Sequence, residues 1–280
     1  MAILDFILSA ACLLLWLNWR SRGLASPERP PGIALLSTLK RAEPRPRDPW
    51  TSLVVLAVLL LARAILYGQI GSATHWMPQL SLGAIVLHFR SDLFTRMLMF
   101  SLLGFLEFLA AFYFSLLFIV GMNRDGNSAD PWNGLARGHL GMLARLPPIV
   151  CLLLPYFAVF LLWIVIGPLL AVMQIHLPVK SFFQLCAQAA VIGLIGWLSW
   201  QYVIALLLVI HLLSSYVYFG NAPFWIFVGA TTRQLLRPLA WLPLRLGKLD
   251  FTPLLALGLL AAAIYFAPSF LSWLYKEVAA

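Results

Sequence analysis

Five runs of the chain, 51–70, 97–120, 149–175, 182–219 and 252–275, are apolar almost throughout, and each has the roughly 20 residues a helix needs to cross a bilayer. Their apolar residues fill whole runs instead of recurring at the 3.6-residue period of a helix half-buried in a soluble core. Lipid is therefore the solvent most of them require. The composition agrees, with 62% of the 280 residues hydrophobic and 10% charged, where a soluble domain has roughly 45–50% and about 25%. The expected fold class is all-α: a polytopic membrane protein of about six transmembrane helices.

The sixth span is the run 3–19, which is short for the purpose. It lacks a basic start, carries Asp5 near its beginning and is followed by Arg20 and Arg22. That polarity is wrong for a cleaved signal peptide, and no small-residue cleavage site follows. The run is expected to be a retained anchor with its N-terminus outside. The run 182–219 poses the opposite problem, since as one straight helix it would reach about 57 Å at 1.5 Å per residue. Its centre, Trp197-Leu198-Ser199-Trp200-Gln201, holds no Pro, Asn or Asp on which to turn. One long helix, tilted or broken, is expected there.

Basic residues test this layout, because loops rich in Lys and Arg stay on the cytoplasmic side. Seven lie in 20–50 (Arg20, Arg22, Arg29, Lys40, Arg41, Arg45, Arg47), three in 121–148 (Arg124, Arg137, Arg145) and four in 220–251 (Arg233, Arg237, Arg245, Lys248). With six spans all fourteen fall on one side, against Arg90, Lys180 and Lys276 on the other. Splitting the fifth run would send four of them to the wrong side. Both termini are then expected outside, in a bacterial inner membrane. The net charge of +9 thus serves orientation; no nucleic-acid-binding module is recognisable and none is expected.

Three parts follow: an anchor, 1–19; a linker, 20–50; and a membrane domain, 51–280. The linker mixes Pro27, Pro30, Pro31, Pro44, Pro46 and Pro49 with charge of both signs, a composition that disfavours a packed core. An irregular cytoplasmic segment is expected, or alternatively a basic strip lying on anionic lipid. Within the membrane domain two stretches share a layout, about 90–148 and 180–253. Arg90-Ser91 and Lys180-Ser181 each precede a span. Pro131-Trp132 and Pro223-Phe224 then follow, with Arg145 and Arg237 the same distance beyond the two prolines.

The second copy carries Asn221-Ala222-Pro223-Phe224, Thr232, Arg237-Pro238, Pro243, Gly247 and Asp250-Phe251-Thr252-Pro253. This series resembles the loop of the YggT family of integral membrane proteins. Members show an Asn-Pro-Phe-like start, a Thr, an Arg-Pro segment, a Pro, a Gly-rich turn and an Asp-x-Ser/Thr-Pro entering the next helix. The resemblance covers about 221–265 and extends faintly over 90–253. Ala240 and Trp241 stand where the family has further basic residues, Lys248 replaces a second turn Gly, and the first copy lacks the Gly-x-x-Asp element. The resemblance implies a non-enzymatic protein that helps assemble or organise other membrane proteins; the alternative it allows is ion or solute transport linked to osmotic stress. It marks Asn221, Pro223, Thr232, Arg237, Pro238, Asp250 and Pro253, with neighbouring Arg233, as a loop docking a partner or lipid headgroups.

The same loop also makes sense from its residues alone. Asp250 or Thr252 can cap free N–H groups at a helix start, where Pro253 is welcome in the first turn. Arg233, Arg237, Arg245 and Lys248 beside Leu235, Leu236, Leu239, Trp241 and Leu242 read as a short segment in the membrane interface, basic side toward headgroups.

Two charges fall inside spans, Arg63 in the second and Glu107 in the third. A charge at such depth costs about 2.5–3.5 kcal/mol on insertion scales, so each needs a protein partner. One buried Arg63–Glu107 salt bridge is expected, acting as a helix clamp or, alternatively, as part of an ion or proton relay. The five histidines, His75, His88, His139, His176 and His211, cannot be paired at matching depth for haem. Cys12, Cys151 and Cys186 form no CxxC and read as buried helix residues. No cofactor or metal is expected, and HExxH, P-loop and GxSxG motifs are absent. Cys186, Ala189, Gly193 and Gly196 lie on one helix face, a packing seam within the chain or between copies in a homo-oligomer. Trp16, Trp19, Trp50, Trp76, Trp273 and Tyr275 fall at span ends, as interfacial belts do.

Overall fold

The computed structural model describes residues 2–24, 49–74, 76–123, 131–217, 220, 222–239, 241, 245–246 and 249–279. Most of the 20–50 linker, Asn221, Ala240, Pro243, Gly247 and Lys248 lie outside the described residues. In chain order the helices are α1 (Ala2–Leu24), α2 (Pro49–Thr74), α3 (Phe94–Met122), α4 (Pro131–Leu140), α5 (Pro148–Val172), α6 (Phe182–Gly193), α7 (Ile195–Leu198), α8 (Gln201–Tyr216), α9 (Pro223–Leu236) and α10 (Thr252–Ala279). A hairpin of β1 (Gln79–Ser81) and β2 (Val86–His88) joins α2 to α3, and a short one of β3 (Arg245–Leu246) and β4 (Leu249–Asp250) precedes α10.

Among the described residues six helices are long and apolar enough to span a bilayer: α1, α2, α3, α5, the composite α6–α7–α8, and α10. The first is longer than the sequence suggested. Its 23 residues reach about 35 Å at 1.5 Å per residue, ample for a bilayer core. Outward-facing side chains are apolar, such as Val55, Val58 and Ile65 on α2 and Phe157, Leu161 and Val165 on α5, all exposed. On a soluble protein this would be an aggregating surface; against acyl chains it needs no cover.

The long fifth run is one broken helix. It stays in the right-handed region at both interruptions, Leu194 (φ −61°, ψ −24°) and Trp200 (φ −73°, ψ −18°). There the ladder tightens to three-residue steps, Leu194 N–H to Val191 O, Trp197 N–H to Leu194 O and Trp200 N–H to Trp197 O. The break faces α5, where Pro155 sits inside the helix and lacks the N–H that would bond four residues back. A Cβ on Gly196 would stand 2.5 Å from the Pro155 carbonyl oxygen, so only glycine lets the backbones meet. Trp197 Nε1 then donates to the Leu152 carbonyl at 2.8 Å. The seam of small residues is thus internal, with Ala189, Gly193 and Gly196 buried against α5 and Cys186 half-buried beside them.

The repeat layout has a structural counterpart. In each half a span (α3, or α6–α8) is followed by a proline-led short helix (α4, α9), a 3-10 turn bearing the marked arginine (Gly141–Arg145, Arg237–Leu239) and another span (α5, α10). The halves differ at the β3–β4 hairpin.

At the opposite end from α4 and α9, β1 and β2 pair Leu80 with Leu87, and both side chains are buried. Gly83 makes the turn, at φ +69°, a conformation that glycine adopts without strain. This hairpin lies on the largest core cluster, which includes Tyr67, Phe89, Phe100, Trp163, Leu170 and Tyr275. Tyr275 therefore faces inward, not into an interfacial belt, and its hydroxyl lies 2.6 Å from His176 Nε2. Trp50 and Trp273 do face outward.

Candidate functional site

The intramembrane charges are arranged differently from the expected pair. Arg63, with no exposed side-chain surface, forms its ion pair with Asp5 of α1. Tyr67 Oη donates to the same carboxylate at 3.0 Å, and Arg63 Nη1 donates to Ser9 Oγ at 3.3 Å. The guanidinium lies 5.6 Å from the Tyr67 ring centre and 5.8 Å from that of Phe100, close enough for cation–π attraction. It also passes the bare backbone of Gly104 on α3, where a Cβ would come within 2.9 Å of Nη2. One cation therefore fastens α1, α2 and α3. Asp5 read as a topological signal, yet the long stem of arginine spans the difference in depth between the two residues.

Glu107 stands one turn beyond Gly104 and, among the described residues, makes no ion pair or hydrogen bond. It is exposed. It lines an open-sided cavity of about 360 Å³ bordered by the β1–β2 hairpin, α3, α5, α6, α7, α8 and Pro268 of α10. The walls are apolar and aromatic, with Phe114, Trp163 and Tyr202; Ser199 and Gln201 add neutral polar groups.

On the α4–α9 face, three buried polar side chains tie the repeat halves together. Asn123, which ends α3, donates its amide to Thr231 Oγ1 of α9 at 2.8 Å, and the threonine hydroxyl in turn donates to the Phe227 carbonyl at 2.8 Å. Asn133 of α4 donates to the Asn123 backbone carbonyl at 3.1 Å. Above them the rings of Trp132 and Phe224, the residues following the two marked prolines, meet edge to face at 5.5 Å. These buried hydrogen bonds and the ring contact hold the helices in one mutual orientation, although Asn133 Oδ1 is buried with no partner among the described residues. The result is a platform whose exposed surface includes Leu135, Met142, Ile226, Arg233, Arg237 and Trp241.

The residues singled out from the sequence divide by position. Pro223 starts α9 after Ala222 in extended conformation, and it, Arg233, Arg237 and Pro238 are exposed. Thr232 is fully buried, its hydroxyl 3.5 Å from the Leu207 carbonyl of α8; it positions the loop and meets no partner. Phe251, accepting from Leu255 N–H at 3.0 Å, is the first acceptor of α10, so Thr252 and Pro253 occupy its first two positions, where a missing N–H does no harm. Asp250 pairs by backbone with Arg245, and the capping expected of its side chain lies outside what the structure describes. The Asn123–Asn133–Thr231 network was not found from sequence, because a lone Asn and a lone Thr 108 positions apart carry no visible pairing.

Burial pushes His139 of α4 below its ordinary value, with Arg20 adding to the effect. His176 is likewise lowered by burial, against a smaller upward pull from the Leu177 backbone. Among the described residues no three His, Cys, Asp or Glu side chains gather as metal ligands. Cys12 and Cys151 are buried, and Cys151 Sγ donates to the Leu146 carbonyl at 3.6 Å.

No family model, no curated protein and no solved structure matches the chain.

Proposed function

We propose that the chain is a non-enzymatic membrane protein of YggT type that helps assemble or organise other membrane proteins, docking them on the α4–α9 platform. One observation carries this reading: two interfacial helices from the repeat halves are locked together by a buried network, while their outer faces expose apolar and basic side chains. Rigid interfacial helices have no need of such fastening if they only float on lipid. The mixture of apolar and basic residues suits both the headgroup region and an adjoining protein. In this reading the platform faces the cytoplasm of a bacterial cell and both termini lie outside, as the distribution of Lys and Arg supports. A photo-crosslinking residue at Ile226 should capture a membrane protein in cells, and one at lipid-facing Val165 should not. Equal capture, or none, at the two positions would remove the basis for docking there.

The second reading is ion or solute transport, favoured by the unpaired Glu107 at an intramembrane cavity. It requires that Glu107→Gln abolish a flux in reconstituted vesicles while Arg237→Glu leaves it unchanged. A flux indifferent to Glu107 would exclude it.

A further inference from the structure

The cavity beside Glu107 has a charge pattern that selects for one kind of occupant. Of all the side chains that line it, Glu107 is the only acid, and none is basic. Arg63, the buried cation beside Gly104 one turn away, is already committed to Asp5. The remaining walls are hydrocarbon and aromatic rings, with Phe114, Trp163 and Tyr202 contributed by three different spans. Aromatic faces attract cations, most strongly where water is scarce, and a carboxylate in an apolar surround gains most from a partner that brings its own positive charge. A small hydrated metal ion would find too few oxygen ligands here. A ligand with a large apolar body and a single delocalised or shielded positive charge satisfies every wall.

We propose that this cavity is a binding site for a lipophilic monocation, with Glu107 as counter-ion and the aromatic rings as its bed. Its volume of about 360 Å³ falls in the range of about 300–1,000 Å³ typical of small-molecule sites. Leu162 of α5 and Tyr202 of α8, both at the lining and both exposed, place an opening on the side of the bundle. A lipophilic cation, which concentrates in the bilayer, can enter by that route without crossing an aqueous vestibule. The site deepens the transport reading by naming a ligand class, but binding is measurable without flux.

Tetraphenylphosphonium and tetraphenylborate have nearly the same shape and opposite charge, so they separate charge recognition from mere apolar filling. Equilibrium binding of each is measured to the full chain in phosphatidylcholine nanodiscs. Saturable binding of about one tetraphenylphosphonium per chain is expected, weakened at least tenfold in Glu107→Gln and retained in Glu107→Asp, with no saturable tetraphenylborate binding. Cation binding is unchanged in Asp92→Asn, which alters an exposed acid just before α3 and outside the cavity lining. Each variant is checked for a monodisperse elution profile, and Glu107→Asp guards against loss of fold. Absence of saturable cation binding to the folded chain overturns the proposal. So does equal binding by Glu107→Gln, or equal affinity for the two ions, which would make the cavity an acyl-chain pocket. Cation binding without flux would sink the transport reading and leave the site standing.

Discussion

Replacing Asp5 by Asn keeps the size of the side chain and removes the carboxylate paired with Arg63. The guanidinium has no exposed surface, whereas the Asp5 side chain is 38% exposed. Breaking a fully buried pair from one side costs about 3–5 kcal/mol. The solvent-side exposure of Asp5 screens part of this, so a loss of about 2 kcal/mol is expected, a factor of about 30 in the unfolding equilibrium. Arg63→Leu should cost less, because the carboxylate left behind is partly exposed and still accepts from Tyr67. Asp5→Leu combined with Arg63→Leu should recover much of the loss, since an apolar pair replaces a charged one at little net cost. Gly104→Ala supplies a cross-check: its Cβ would stand 2.9 Å from Arg63 Nη2 and must push the guanidinium off Asp5 and Ser9, a cost that should vanish in the Arg63→Leu background. Reversible unfolding in mixed micelles, followed by tryptophan fluorescence, gives both double-mutant cycles once Asp5→Leu alone is measured to close the first. Coupling energies of at least about 1 kcal/mol are expected. If Asp5→Asn lies within about 0.5 kcal/mol of the parent, or if both cycles are additive, the clamp has been misread.

Gly196→Ala places a Cβ against the Pro155 carbonyl and should cost about 1–3 kcal/mol, read as a lowered melting temperature in detergent, whereas Gly134→Ala, with open space around it, should not. Thr231→Val leaves the Asn123 amide without its threonine partner and should destabilise by about 1–3 kcal/mol. Limited proteolysis should then cut sooner between α3 and α4, and unchanged cutting would argue against the network as fastener. His176 is held below 6.5 by burial, so the unfolded chain binds the proton first as pH falls. Its contribution to stability is complete above about pH 6.5 and declines below that value, toward its lowered folded pKa. His176→Phe should flatten the melting temperature between pH 7 and 5 relative to the parent; an identical slope in both would show that another group titrates.

How much of this was legible in the sequence depended on whether the constraint was local. Lipid forces nearly every residue of a span to be apolar, so the six spans stand out without reference to one another. The prolines at 131 and 223 were read only as markers of the repeat, although each opens a helix, where proline is a local preference. The face formed by Ala189, Gly193 and Gly196 was visible as a seam, but its partner, Pro155 on α5, required the fold. Arg63 was seen to need a counter-ion, and Glu107 was the wrong choice. Depth along a helix does not fix azimuth, and the bare backbone of Gly104 leaves room for an arginine that reaches α1. The β1–β2 hairpin went unread because its three-residue strands are too short for a convincing alternation, although Gly83 is the kind of residue such a turn needs.

The docking claim is tested most directly by purifying the tagged full chain at native expression in mild detergent and identifying co-purifying proteins by mass spectrometry, for the parent and for Arg237→Glu. A membrane protein in fixed stoichiometry with the parent and absent from an equally well inserted Arg237→Glu is the expected result. A parent that elutes alone, or the same companion in the same amount with both, would contradict the account.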